Sequence, residues 1–504
     1  MPNRTLAGVA LLALAAITWG QPASGQTAMG TPSPAPFALP SPQPVPSPIT
    51  SLPPASTAST LPYPAYGTPV PGVGRGVPAN GVPQVVSLDQ AIAIGFARSP
   101  LLAQARATVL VDTAPVDLAK TAVLPNISGT ATVARNFSQN TGLTGGSETR
   151  SGALLPPAYT SSGFGATLTQ LIYDGGKVAA ELHEAKATQS AAIATYKREL
   201  QTVAYNVANA YYAALAAQRT TQVAVETVKI NQVNANLVAA QIRAGTAARS
   251  DYLTAELPVA QARVALVQDQ GAELSTQAAF VNAMGLDANT YVLPQDDGNV
   301  LAGDSGAPKV ATPTYDAAVA RAYALRPDYF AAQESVHSYE YALRAAHLND
   351  WPHIDANGSY GTDSSDARGG TFRNSGSIGL TLTVPIYDQG ITHADVEQAQ
   401  GQLDLSRASL NSTQQSVQLN VKQTLVSLVS AQAAFDQVQA ELANAREVLA
   451  ATQAQYAAGV TTLPLLLNAE VGLTTALAAQ VNAVYTLRQA EAAFLYAEGA
   501  NAPA

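Results

Sequence analysis

The sequence predicts a mainly α-helical protomer with a membrane β-strand portion, built from one structural unit written twice. Three observations predict this class. The second half of the chain repeats the first at near-constant spacing. Each half holds a helical stretch of about 70 residues with a coiled-coil seam. Each half also holds a pair of alternating strands of membrane length.

The repeat sets the organisation. Leu88-Asp89-Gln90-Ala91 resembles Tyr315-Asp316-Ala317-Ala318, Pro100 aligns with Pro327, and Leu124-Pro125 aligns with Trp351-Pro352, all at one spacing. A second spacing then takes over. Ile172-Tyr173-Asp174 matches Ile386-Tyr387-Asp388, and Asn206, Gln241, Gly245 and Glu256 match Asn420, Gln455, Gly459 and Glu470. One net indel between Pro125 and Phe164 separates the two spacings. Surface loops tolerate indels, so a loop is expected there in both halves. The division is a first repeat over residues 86–285, an inter-repeat linker over 286–312 and a second repeat over 313–500.

Ahead of the repeats, Arg4 precedes an apolar run over 6–19, and the small residues Ala23, Ser24 and Gly25 follow. This pattern predicts a secretory signal peptide over 1–25. Residues 26–85 are rich in Pro beside Ser, Thr, Ala and Gly, as in Thr31-Pro32-Ser33-Pro34. Such a segment buries too little apolar surface to offset its ordering, so it is expected to be a disordered linker. Gly72, Gly74 and Gly76 lie in it, with no preceding strand or following helix to make them a phosphate cradle. The chain has no cysteine. It therefore has no disulfide framework and no thiol for a lipid, and membrane attachment must come from the fold. The formal net charge of −9 argues against a nucleic-acid partner.

The strands flank the expected loops. Ile127, Gly129, Ala131 and Val133 alternate with Ser128, Thr130 and Thr132, and Phe164, Ala166 and Leu168 with Gly165, Thr167 and Thr169. In the second half Ile354, Ala356, Gly358 and Tyr360 alternate with Asp355, Asn357 and Ser359, and Ile378, Leu380, Leu382 and Val384 with Gly379, Thr381 and Thr383. Runs of about 9–11 residues suit tilted membrane strands, and small polar faces suit a lumen wall. Aromatic residues stand toward both ends: Tyr159, Phe164, Tyr360 and Phe372 near the loops, Tyr173 and Tyr387 at the other side. Four strands cannot close a barrel, and an open edge in lipid leaves backbone groups unpaired. Protomers must therefore share one barrel, and dimer, trimer and tetramer all satisfy the arithmetic. The loops near 140–162 and 361–375 are expected outside the cell.

Val417, Val421, Thr424, Leu428, Ala431, Phe435, Val438, Leu442, Ala445 and Leu449 follow 4-3-4-3 spacing, and so do Ile193, Tyr196, Leu200, Val203, Val207 and Ala210. At about 1.5 Å per residue, each long helix spans roughly 100 Å. Gly245 and Gly459 break the helices, and glycine there fits a C-cap of positive φ. The turns around Arg243, Gly245 and Thr246 and around Gly459 and Val460 form the tip far from the loops. Each half thus reads helix, strand, loop, strand, long helix, turn, helix.

The doubled unit, the motifs Tyr173-Asp174-Gly175-Gly176 and Tyr387-Asp388-Gln389-Gly390, and the tip turn followed by Asp251-Tyr252-Leu253-Thr254-Ala255-Glu256 resemble the TolC-like outer membrane factor family, from about Val86 to Gly499. The resemblance implies an outer-membrane channel of an efflux or type I secretion system: a homotrimer with a twelve-stranded barrel in outer-membrane lipid and a helical tunnel through the periplasm. It further implies docking to a periplasmic membrane-fusion adaptor and an inner-membrane transporter. It places the periplasmic constriction at Asp251, Tyr456, Thr461, Leu465 and Asn468. Leu465 and Asn468 stand where the family carries a ring of acids, and Thr461 where it carries the basic partner of Asp251. Tyr456 matches the family's tip tyrosine.

The rival class is a secreted coiled-coil scaffold or surface protein, which explains the leader and the heptads but not the paired amphipathic strands. No enzyme, cofactor or metal site is expected. His347 and His353 lack converging ligands. Asp363 and Asp366 lack the rest of a calcium shell. Without cysteine and with only three methionines, the chain has too few soft ligands for a soft-metal relay to be expected.

Overall fold

The computed structural model describes residues 84–137, 158–295, 312–365 and 370–501. The expected signal peptide, all but the last two residues of the expected linker, most of the 140–162 loop, Asp366 and much of the inter-repeat linker lie outside the described residues.

Each repeat opens with two helices where the sequence reading expected one: α1 (Leu88–Arg98) and α2 (Pro100–Thr121), then α5 (Tyr315–Leu325) and α6 (Pro327–Ala346). Proline explains both breaks. It drives the residue before it out of the helical region, and it suits the first turn of a new helix. Ser99 (φ −63°, ψ 124°) and Arg326 (φ −81°, ψ 116°) are accordingly extended, and a helix restarts at each proline.

A further element had no signal in the sequence. Strand β1 (Gln84–Val86) pairs in parallel with β4 (Val292–Pro294). Gln84 and Val85 therefore belong to the folded unit rather than to the linker, and β4 lies inside the segment assigned between the repeats. Three residues are too few to show a period. What fixes the pair is burial: Val86 and Val292 lie in the main core with Tyr211, Phe280 and Met284, and the Tyr211 hydroxyl donates to the Gln295 carbonyl.

The remaining strands, β2 (Asn126–Phe137), β3 (Ala158–Tyr173), β5 (His353–Ser365) and β6 (Arg373–Thr383), form one antiparallel sheet in the order β2-β3-β5-β6. They run 12, 16, 13 and 11 residues, the first three longer than the alternation predicted. Residues 158–162 and 361–365, expected in loops, continue the ladder through pairs such as Ala134↔Ser161 and Ser162↔Ser364. The polar run there shows no alternation, but backbone hydrogen bonds need none.

The long helices α3 (Lys177–Arg243) and α7 (Ile391–Ala457) each have 67 residues, about 100 Å of rise. Both start from the same cap. The Asp174 carboxylate accepts from the Gly176 N–H at 2.9 Å and also from Val178 N–H; Asp388 accepts from Gly390 N–H at 3.0 Å and Thr392 N–H at 2.8 Å. Carboxylates at a helix N-terminus satisfy orphan donors and oppose the dipole. The Thr392 side-chain hydroxyl, together with the Thr392 and Gly390 N–H groups, holds the exposed Asp388 carboxyl down at about 2. The shared Tyr-Asp-x-Gly motif is thus a strand-to-helix junction. Helices α4 (Arg249–Ala283) and α8 (Leu463–Glu498) return alongside α3 and α7, and α8 also packs on α3. Of the expected seam, Val417, Val421, Leu428, Ala431, Phe435 and Leu442 are buried, as are Val203 and Val207, while Ile193 stays exposed. Among the described residues no helix is long and apolar enough to cross a membrane.

Candidate functional site

The sheet separates two chemistries by register. On one face Ile127 opposes Leu168, Leu168 opposes Gly358, and Gly358 opposes Ile378, with Ala356↔Leu380 and Ile354↔Leu382 continuing the same face. Ile127, Phe164, Tyr360, Ile378, Leu380 and Leu382 are all exposed. An exposed apolar patch of this extent marks a membrane or interaction surface. The other face carries a row that crosses all four strands, Ser128↔Thr167↔Ser359↔Ser377. Its hydroxyls bond across strands, Ser128 with Thr167 at 2.7 Å and Ser359 with Ser377 at 2.8 Å, and the Asn357 amide donates to Thr381 at 3.0 Å. One apolar wall and one small polar wall on antiparallel strands make a membrane barrel section with a wet lumen.

At the opposite end, Gly245 (φ +74°) and Gly459 (φ +72°) close the long helices. In the first turn Gly245 N–H donates to the Ile242 carbonyl and Thr246 N–H to the Gln241 carbonyl, both at 2.9 Å; in the second, Gly459 donates to Tyr456 at 3.0 Å and Val460 to Gln455 at 2.9 Å. This is the Schellman arrangement, which needs a left-handed residue. Arg243, Thr246 and Val460 are exposed around the turns. Asp251 does not meet Thr461. Its carboxylate accepts from the Ala248 N–H at 3.1 Å and caps its own helix. Tyr456 reaches across instead to Gln241, whose amide donates to the phenol oxygen at 3.2 Å. Leu465 and Asn468 are exposed, while neighbouring Leu466, Leu467 and Glu470 turn inward.

Two further arrangements escaped the sequence reading. Asn234 on α3 donates to the Glu470 carboxylate on α8, and both are buried. Burial pushes the Glu470 carboxyl up, against the lowering effect of that hydrogen bond. The C-terminus of α8 is held by a cationic knot. Arg326 donates to both oxygens of Asp328 and to the Ala497 carbonyl, Arg198 donates to the Tyr496 carbonyl at 3.1 Å, and the Gln201 amide donates to the Gly499 carbonyl at 2.8 Å. Cations there suit the carbonyl end of a helix. Burial raises the Asp328 carboxyl, but the Arg326 hydrogen bonds and the Arg198 and Arg326 charges outweigh it and hold its pKa below the usual value. The knot is absent from the first repeat, where Ser99 and Leu101 stand in place of Arg326 and Asp328, so repetition gave no cue.

Among the described residues no group of acidic, histidine or cysteine side chains could hold a metal ion.

The sequence profile of the outer membrane efflux protein family matches residues 95–286 and 318–500, one segment in each repeat. Protein CyaE of Bordetella pertussis is 26% identical over 418 residues, 82% of this chain and 84% of that protein. The CmeC outer membrane channel of Campylobacter jejuni superposes with a TM-score of 0.71 at 16% identity, covering 82% of this chain and 86% of that one. The open-state MtrE channel of Neisseria gonorrhoeae superposes at 0.68 with 19% identity, covering 87% and 98%. With the profile spanning most of both repeats and the fold shared over more than four-fifths of the chain, this chain belongs to the outer membrane efflux protein family and is an outer-membrane channel for efflux or secretion, extending into the periplasm.

Proposed function

We propose that three copies of this chain close one twelve-stranded barrel and one helical tunnel. That tunnel passively conducts substrate received from a periplasmic adaptor and an inner-membrane transporter. The observation that carries the assembly is a mismatch between the repeats. Helices α6 and α8 pack on α3 inside the chain. Their counterparts α2 and α4 leave the matching positions open. Leu118 is 68% exposed and its counterpart Ala345 is 7%; Leu253 is 59% and Leu467 is 8%; Val267 is 54% and Val481 is 0%. A face buried in one repeat and bare in the other is the face a second copy covers, with α2 and α4 meeting the α7 of a neighbour. The sheet is open at β2 and β6, and the same neighbours close it. The coiled-coil scaffold reading leaves the apolar sheet wall without a reason.

In this reading residues 1–25 direct export and are removed, and 26–83 form a linker ahead of the channel. The tip turns at Arg243, Gly245, Thr246, Gly459 and Val460 are the surface an adaptor meets. The passage narrows near Asp251, Tyr456, Thr461, Leu465 and Asn468. The family and fold are those of channels, not enzymes. Light scattering of the chain in detergent, followed by conductance in planar bilayers, tests the assembly. A three-copy mass with single-channel conductance is expected, and a stable monomer or a species that never conducts would overturn it.

A further inference from the structure

The two repeats make the same helix contacts with different side chains, and near the tip the difference is chemical. We propose that Glu256 is a contact carboxyl between copies, seated against Val448 of a second copy as Glu470 is seated against Asn234 within one chain. The pairing rests on the trimer reading above and names residues that meet in it.

The alignment behind it is end-to-end. Helices α3 and α7 have equal length and stop at Gly245 and Gly459 with the same left-handed cap. Helices α4 and α8 restart at equivalent positions, Arg249 and Leu463. Asn234 and Val448 therefore stand at the same height on the long helices, and Glu256 and Glu470 at the same height on the returning ones. Inside the chain the pair is complete: Asn234 and Glu470 are each 6% exposed, and the amide donates to the carboxylate. On the open faces the pair is incomplete. Val448 is 55% exposed. Glu256 is only part-exposed, and among the described residues no hydrogen bond or ion pair from the rest of the chain reaches its carboxylate.

A carboxylate moved from water against valine loses hydration and gains no donor. The seam between copies is therefore weaker at this height than the seam inside a copy. The next polar link follows the same rule. Gln241 bonds Tyr456 within the chain, and the matching pair between copies is Gln455 with Ile242, which has no polar atom to offer.

The test supplies the missing amide. Val448→Asn gives the seam between copies the donor that the inner seam already has. Dissociation of the detergent-solubilised trimer should slow about tenfold, and the gain should vanish when Glu256→Ala is added. No gain, or an equal gain in the Glu256→Ala background, overturns the pairing. As a second measurement, a photo-cross-linking amino acid at 448 should attach to α4 of another copy close to Glu256. Attachment elsewhere overturns the pairing even if the asparagine variant misfolds. Light scattering of the unmodified chain comes first: absence of a trimer would sink the assembly reading, a failure distinct from that of the pairing.

Discussion

The four glycines that close the helical hairpins share one backbone conformation and differ in their surroundings. Gly245, Gly285, Gly459 and Gly499 all have φ between +72° and +76°. Around Gly245 and Gly459 an added Cβ would meet nothing within 4 Å. At Gly285 it would lie 2.7 Å from the Arg98 carbonyl oxygen, and at Gly499 2.9 Å from that of Leu325. Those carbonyls belong to the α1–α2 and α5–α6 breaks, so a hairpin end seats on a proline break in each repeat. Gly245→Ala or Gly459→Ala should then cost only the strain of a left-handed alanine, about 1–2 kcal/mol. Gly285→Ala and Gly499→Ala add an overlap with rigid backbone, worth about 1–3 kcal/mol more. Denaturant unfolding followed by helical circular dichroism ranks the four, and equal losses at all positions would contradict the packing argument.

At the level of elements, the strands were legible because each face meets a different solvent. Period two is the imprint of that difference, and the register carried the residues of the alternating runs to the face their type implied, except Val384, which lies just past the end of β6. The strand ends were not legible, because serine, glycine and threonine pair their backbones without marking a face. The helix breaks at Pro100 and Pro327 were visible as aligned prolines, but their consequence lies in the residue before each. The two short strands β1 and β4 left no trace, since burial beside Phe280 and Met284 alone selects them. The two-faced sheet makes a directional prediction. Leu380→Arg puts a charge on the apolar wall near the middle of β6 and should cost about 2–4 kcal/mol in membrane assembly. Ser377→Arg, on the polar wall of the same strand, should leave assembly intact and shift ion selectivity. Heat-modifiable migration of the outer-membrane fraction reads the first effect and reversal potentials in bilayers the second; equal tolerance of both would remove the distinction between the walls.

For the whole molecule, the proposed adaptor surface and narrowing lie at the end farthest from the sheet, and only half of that arrangement was legible in the sequence. Glycine turns were legible because few residues adopt positive φ. The partners of Asp251 and Tyr456 were not, because they depend on which helices meet: Asp251 turns back to its own N-terminus, and Tyr456 takes Gln241 from the other repeat. In the proposed narrowing, the two residues exposed on one side of α8, Leu465 and Asn468, are neutral. Neutral walls bind multivalent cations poorly, whereas rings of carboxylates draw them in. The unmodified channel should therefore show weak blockade by a trivalent cation added on the periplasmic side in planar bilayers. Leu465→Asp with Asn468→Asp puts two rings of carboxylates in a trimer, and blockade should become strong and fade with rising salt as screening shortens the reach of the charges. Strong blockade of the unmodified channel, unchanged by both substitutions, would move the narrowing away from α8 and toward acids elsewhere along the tunnel.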